Sequence, residues 1–171
     1  IAWTPNGNSV VFDGNRSPDS DMQYETSQSD AADVASGAIR ELVSKPGEWT
    51  KPAVSPDGRT VAFSGYAPTG HSHTVSDMWV VPIRGGSADM RKISGDFDRD
   101  PINMRWSPDG SGVYFDADDR GSRNLQFAAL VGGVTPLTGG RHMMTFASVS
   151  TDGTAAGISA DLDHPQDVVK Y

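Results

Sequence analysis

Apolar and polar positions along the chain follow a pattern that is written four times. The windows read WTPNGNSVVF from Trp3, VSPDGRTVAF from Val54, WSPDGSGVYF from Trp106 and VSTDGTAAGI from Val149. Four places into each window stands a glycine: Gly7, Gly58, Gly110 and Gly153. Seven places in stands a small apolar residue, Val10, Val61, Val113 or Ala156, and nine places in a larger one, Phe12, Phe63, Phe115 or Ile158. Positions seven and nine differ by two, so in a strand both side chains lie on one face. Asn-Gly or Asp-Gly ahead of them supplies the positive φ of a tight hairpin turn. Proline at 5, 56 and 108 precedes the turn, where a missing N–H costs little. Each window therefore predicts a hairpin.

A second apolar alternation follows each of the first three windows: ADVASGAIRELVS (32–44), DMWVVPIRGGSADMRKIS (77–94) and NLQFAALVGGVTPLTG (124–139). Each reads as strand, glycine turn, strand. One unit is thus four antiparallel strands, and the windows recur at 51, 52 and 43 residues. A four-stranded unit at that period predicts an all-β fold, a β-propeller fragment of three blades and most of a fourth. The expected blades are 1–53, 54–105, 106–148 and an incomplete 149–171, forming a single partial propeller. Trp3 and Trp106 hold equivalent repeat positions and are expected in the core, as are Trp49 and Trp79. The stretch DSDMQYETSQSDAAD (19–33) is polar and irregular, which predicts a loop excursion with room for a short helix.

Propellers close with about four to eight blades, so this count is short of a ring. Either the chain is part of a longer one, or two copies close a ring as a homodimer. The first reading is preferred, because the sequence starts and stops inside the repeat phase. No basic-then-apolar leader opens the chain, although a start at Ile1 leaves room for one. No apolar run approaches the roughly 20 residues of a membrane span.

Composition narrows the chemistry. The formal net charge is −8, with no Lys/Arg stripe, which argues against nucleic acid as a partner. Cysteine is absent, so disulfides, thiol nucleophiles and Cys-ligated zinc are excluded. Two further clusters invite a metal reading and carry it poorly. HSH at 71–73 could place two imidazoles on one strand face, but YAPTGHSHT reads as a loop with no third ligand. DFDRD at 96–100 alternates acids, but Pro101 follows where a calcium loop needs its glycine and distal glutamate. No metal and no cofactor are expected.

The SPDG hairpin, the DMWVV strand and the closing RKIS or TPLT strand together resemble the WD40-like Asp-Gly propeller repeat. That repeat occurs in TolB-type periplasmic proteins and in the propeller domains of prolyl oligopeptidase family serine peptidases. NRSPDSDMQYETSQSD (15–30) with ADVASGAIREL looks like the long first-loop segment of bacterial acylaminoacyl-peptidase and dipeptidyl-peptidase relatives. DDRGSRNLQFAALVGGVTPLTGG (118–140) looks like a late blade of that group. DHPQDVVKY (163–171) resembles the tail that, in those enzymes, lies shortly before the catalytic α/β-hydrolase domain. The resemblance covers essentially the whole chain.

It implies a non-catalytic propeller portion of a serine peptidase, gating and orienting peptide substrates for a hydrolase domain absent from this chain. The alternative it leaves open is a TolB-like protein-binding propeller. A compartment does not follow: the relatives suggest bacterial cytoplasm or periplasm. No G-x-S-x-G nucleophile elbow occurs, so no catalytic residue is assigned and no hydrolysis is expected from this chain alone. Substrate contacts are expected from Tyr24 and Glu25 on the long loop, where a glutamate can pair with a peptide ammonium. Dipeptidyl peptidases of the family use paired glutamates there; DMQYET has one, with Thr26 in the other place. Arg120 could clamp a carboxylate. For Arg120 and Arg123 the competing reading is an Asp–Arg staple across a blade turn.

Overall fold

The computed structural model describes residues 1–23, 26–71 and 73–171. They form strands throughout, apart from two single-turn 3₁₀ helices at Ser20–Met22 and Ser87–Asp89. The strands gather into two compact units, Ile1–Lys92 and Ile93–Tyr171.

The first unit holds two four-stranded antiparallel sheets. One runs β1 (Ala2–Trp3), β2 (Ser9–Gly14), β3 (Gln28–Asp33), β4 (Ile39–Val43) in order. The other runs β5 (Glu48–Val54), β6 (Thr60–Tyr66), β7 (Asp77–Pro82), β8 (Arg91–Lys92). Strand β6 is buried on both faces from Val61 to Gly65, so Ala62 and Ser64 are as enclosed as Val61 and Phe63. A sheet covered on both sides loses the in–out alternation of a half-buried strand. In β2 the fully buried residue is Val11, while Val10 and Phe12 remain half exposed.

The two sheets share one core built from Val11, Leu42, Val43, Trp49, Val61, Phe63 and Val81. Trp49 stands edge-on to Phe63 at 5.9 Å and to Trp79 at 5.8 Å between ring centroids. Both indole N–H groups donate to backbone carbonyls, Trp49 to Lys45 at 2.7 Å and Trp79 to Gly65 at 3.0 Å. Buried indoles need such partners to offset desolvation. Trp3 departs from expectation: it is 60% exposed, because β1 is a two-residue edge strand with no strand on its outer side. Its repeat equivalent Trp106 is buried.

The second unit is one seven-stranded sheet. It contains β9 (Ile102–Trp106), β10 (Gly112–Asp119), β11 (Ser122–Ala129) and β12 (Gly133–Pro136), then β13 (Met143–Val149), β14 (Ala155–Ala160) and β15 (Asp167–Lys170). The third and fourth repeats, expected as separate blades, are joined by a parallel bridge at Arg123↔Met143. There the Arg123 amide donates to the His142 carbonyl at 2.9 Å. Leu125, Met144, Phe146 and Ala155 form the core beneath, with Tyr114 tilted against Phe127 and Phe146.

The repeated SPDG turn is wider than the two-residue hairpin the dipeptide suggests. Gly58 N–H donates to the Ser55 carbonyl, and Ser55 N–H to the Thr60 carbonyl, so four residues span the strands. Gly58 takes φ +70°, whereas Asp57 stays outside the positive-φ region. Asp57 accepts from Ser55 Oγ at 2.6 Å and from the Arg59 amide at 3.0 Å. Ser55 Oγ accepts in turn from the Thr60 amide at 2.9 Å. Ser107, Asp109, Ser111 and Gly112 repeat the arrangement, and Ser150, Asp152 and Thr154 keep most of it. In the first copy Thr4 and Asn6 take the two roles. The four letters recur because the serine ties both the aspartate and the next strand, a side-chain clasp that plain turn propensity lacks.

A second repeated device has no letters of its own. Lys51 and Asn103 occupy matching places in β5 and β9 with φ +55° and +53°. Register shifts accompany both, between Thr50 and Ala53 and between Tyr114 and Asp116. Each is a bulge that bends the strand opening its sheet. Within the polar stretch 19–33 lie the 3₁₀ turn and then β3, which pairs with β2 over Gln28–Asp33 and with β4 over Ser29–Ala32, and which starts ahead of the apolar letters at 32.

Candidate functional site

The β10–β11 hairpin carries the predicted arginine. Asp119 pairs with Ser122, leaving Arg120 and Gly121 as a two-residue turn with φ +49° and +78°. Both central residues at positive φ define the type I′ geometry that suits twisted strands. Glycine adopts it freely. Arginine does so at a cost of about 1–2 kcal/mol.

The strained turn projects the Arg120 side chain outward, 92% exposed, with Asp119 Oδ2 no closer than 4.0 Å. The other Asp119 oxygen is occupied by Arg99, from Nε at 3.0 Å and Nη2 at 2.7 Å. Arg99 also reaches Asp98, at 2.5 Å. Hydrogen bonds donated to Asp119 and then to Asp98 push the Arg99 guanidinium above its ordinary value. Asp98 and Arg99 of DFDRD thus form an Arg–Asp cluster with Asp119, and Phe97 lies edge-on to Phe115 at 5.4 Å.

An Asp–Arg staple is present at this turn. Arg123 is the staple: Nε and Nη2 meet the two oxygens of Asp118 at 2.7 and 2.9 Å, across a register pair of β10 and β11. That fork lowers the Asp118 carboxyl and raises the Arg123 guanidinium. Among the described residues Arg120 has only the 4.0 Å pairing with Asp119. It lines a cavity of about 700 Å³ with Arg99, Arg141, Asn124, Gln126 and Thr138. It also lines a smaller one of about 380 Å³ with Arg141, His142, Met143 and Leu162. Among the described residues Arg141 makes no ion pair. The His142 Nε2 is buried without a hydrogen-bond partner. Two guanidiniums, amide side chains and a threonine hydroxyl beside apolar walls suit a ligand that combines carboxylate or carbonyl oxygens with apolar groups.

Tyr24 and Glu25 lie outside the described residues. His71 is exposed, and among the described residues no three His, Asp or Glu side chains stand together as a metal would need. Among the described residues no helix is long and apolar enough to cross a membrane. Sequence reasoning missed Arg141 and Arg99. Arg141 follows a Gly-Gly pair after the last strand of its repeat, a position with no motif to mark it.

With this geometry in hand, the comparisons define the class first. The chain has the β-propeller fold. The propeller domain of the trilobed protease from Pyrococcus furiosus matches at a TM-score of 0.72 and 15% identity, over 99% of this chain and 50% of that one. An acylaminoacyl peptidase bound to Z-Gly-Gly-Phe-chloromethyl ketone matches at 0.75 and 16%, over 98% and 24%. TolB from Acinetobacter baumannii matches at 0.69 and 19%, over 99% and 39%.

Sequence similarity is more particular. Over 157 residues the chain is 24% identical to dipeptidyl-peptidase 5 of Porphyromonas gingivalis, covering 89% of this chain and 22% of that protein. The chain therefore spans about a fifth of the length of that relative. The resemblance read from the repeats stands: its neighbours include propeller domains of prolyl oligopeptidase family peptidases. No family model matches the chain.

Proposed function

We propose that this chain is the propeller portion of a prolyl oligopeptidase family serine peptidase, in which it gates and orients peptides for a hydrolase domain outside this sequence. One observation carries the reading: similarity to dipeptidyl-peptidase 5 runs along 89% of the chain, while the chain itself contains no G-x-S-x-G elbow. The cavity beside Arg120 and Arg141 supports it, since exposed guanidiniums at a rim can hold a peptide carboxylate or carbonyl. Tyr24 and Glu25 would add an anchor for the peptide's ammonium group. The four repeats are blades of one partial propeller, each opening with the strand ahead of its Gly turn, β1, β5, β9 and β13. Further blades of a longer chain, rather than a second copy, complete the ring.

The likeness to TolB over 99% of the chain favours a second reading, a propeller that docks partner proteins without an enzyme. The reading frame beyond Tyr171 separates the two. A G-x-S-x-G codon run within about two hundred residues supports the peptidase. A stop codon, or further Asp-Gly repeats alone, supports the binder. In the encoded full-length protein, Arg120→Ala should raise KM for peptides more than it lowers kcat. Unchanged kinetics would remove Arg120 from the site.

A further inference from the structure

In the first unit three arginines from three separate segments border one cavity of about 670 Å³. Arg40 comes from β4, Arg59 from the SPDG turn between β5 and β6, and Arg84 from the turn after β7. All three are exposed. Among the described residues none of them forms an ion pair or a side-chain hydrogen bond. The chain has 22 acidic residues against 14 Lys and Arg, so carboxylates to pair with are plentiful. Among the described residues the single acid lining this cavity is Asp57. Its Oδ1 is already held by Ser55 Oγ and the Arg59 amide, and the Arg59 charge adds to the pull that lowers its carboxyl.

We propose that this cavity binds an acidic peptide segment of another polypeptide through Arg40, Arg59 and Arg84. Its volume falls in the usual ligand-site range of about 300–1,000 Å³ and far exceeds the ~30 Å³ share of one water. An extended segment fits that size better than a lone inorganic anion. Pro82 and Ile83 line the cavity beside the guanidiniums, offering apolar contact between charges. Carboxylates fit better than phosphate for a specific reason. Guanidinium forks serve phosphate as well as carboxylate, but dedicated phosphate cradles add free backbone amides. Here the amides of Gly58, Arg59, Thr60 and Ile83 are all engaged within the fold. Recognition rests on guanidinium forks, which match carboxylates two bonds at a time. The site goes beyond the peptidase reading and does not depend on it.

The test is fluorescence anisotropy of a short fluorescein-labelled peptide alternating glutamate with alanine, titrated with the purified chain. Parallel arms use the same peptide with glutamine for glutamate and one with phosphoserine for glutamate. The glutamate peptide should bind, and 1 M salt should release it, where the screening length is about 3 Å. The glutamine peptide should not bind. The triple variant Arg40→Gln/Arg59→Gln/Arg84→Gln should weaken binding by on the order of tenfold or more. Arg105→Gln, an exposed arginine of the second unit, should leave it unchanged. Thermal melts by circular dichroism confirm that each variant is folded, and Arg84→Gln alone gives a milder reading if the triple variant is not. Equal binding of the glutamine peptide, preference for the phosphoserine peptide, or an equal loss in Arg105→Gln would each overturn the proposal.

Discussion

Asp116 is the most demanding residue of the second unit, and replacing it tests how that unit holds together. The carboxylate is fully buried on β10. It accepts from the Phe146 amide of β13, at 2.9 Å to one oxygen and 3.2 Å to the other. It also accepts from Asn103 Nδ2 at 2.8 Å, the residue at positive φ in the β9 bulge. One side chain thus fastens the bulge, the central strand and the strand that opens the last repeat. Hydrogen bonds to a charged group contribute about 1.5–3 kcal/mol each, and a buried amide left without a partner costs about 1–3 kcal/mol. Desolvation of the carboxylate, which burial makes costly, works against this and holds its pKa above the usual range. Asp116→Ala should therefore destabilise the unit by about 2–4 kcal/mol net.

Asp116→Asn should cost far less, about 1 kcal/mol, because the new amide can offer its oxygen to Phe146 N–H while Asn103 turns its own oxygen toward the new NH₂. The two substitutions separate on a second axis. A folded pKa raised above the unfolded one means the folded unit binds the proton more tightly. The stability Asp116 supplies is then greatest below the ordinary carboxylate value and falls as pH rises through the folded one. Asp116→Asn should flatten that slope. The assays are urea unfolding of the wild type and both variants at several pH values, and amide exchange at Phe146. A change under about 0.5 kcal/mol in Asp116→Ala, with Phe146 protection intact, would refute the reasoning.

Other outcomes follow from the same geometry. Arg120→Gly should stabilise the second unit by up to about 1 kcal/mol in thermal melts, by relieving the positive-φ strain, while weakening peptide affinity. Loss of stability instead would show that the arginine contributes to the fold rather than being held for a ligand. Gly112→Ala would place a Cβ 2.4 Å from the Ala128 carbonyl oxygen and 2.5 Å from the Phe127 ring, so it should cost at least about 1–3 kcal/mol in urea unfolding. Asp57, Asp109 and Asp152 are each held below the usual carboxylate range by the serine of their own turn, Asp109 at about 2. Their contribution is complete above the ordinary carboxylate value and lost as pH falls through the folded one, about 2 for Asp109, so acid titration should loosen the turns on that descent. Ser107→Ala should move the Asp109 midpoint upward, measured by carboxyl NMR.

Repetition made the strands legible. Four copies of one apolar spacing located the hairpins, and alternation located the second pair of strands in the first three repeats, because a strand's side-chain period is a local property. Arg120 was also legible as a candidate, since Arg-Gly between two predicted strands marks a turn. Other features were decided only in three dimensions. Trp3 and Trp106 share a repeat position, yet one is exposed and one buried, because burial depends on what packs outside a strand rather than on its letters. Asn103 and Lys51 take the same unusual φ although lysine carries no local signal for it. Arg123 and Arg120 sit three residues apart and differ in surroundings because register places Asp118 opposite one and a two-residue turn aims the other outward. Arg40, Arg59 and Arg84 are scattered over 45 positions and meet at one cavity only after two sheets pack into a unit. Local periodicity wrote the strands of this protein; long-range register and packing decided which charges it neutralises and which it leaves exposed.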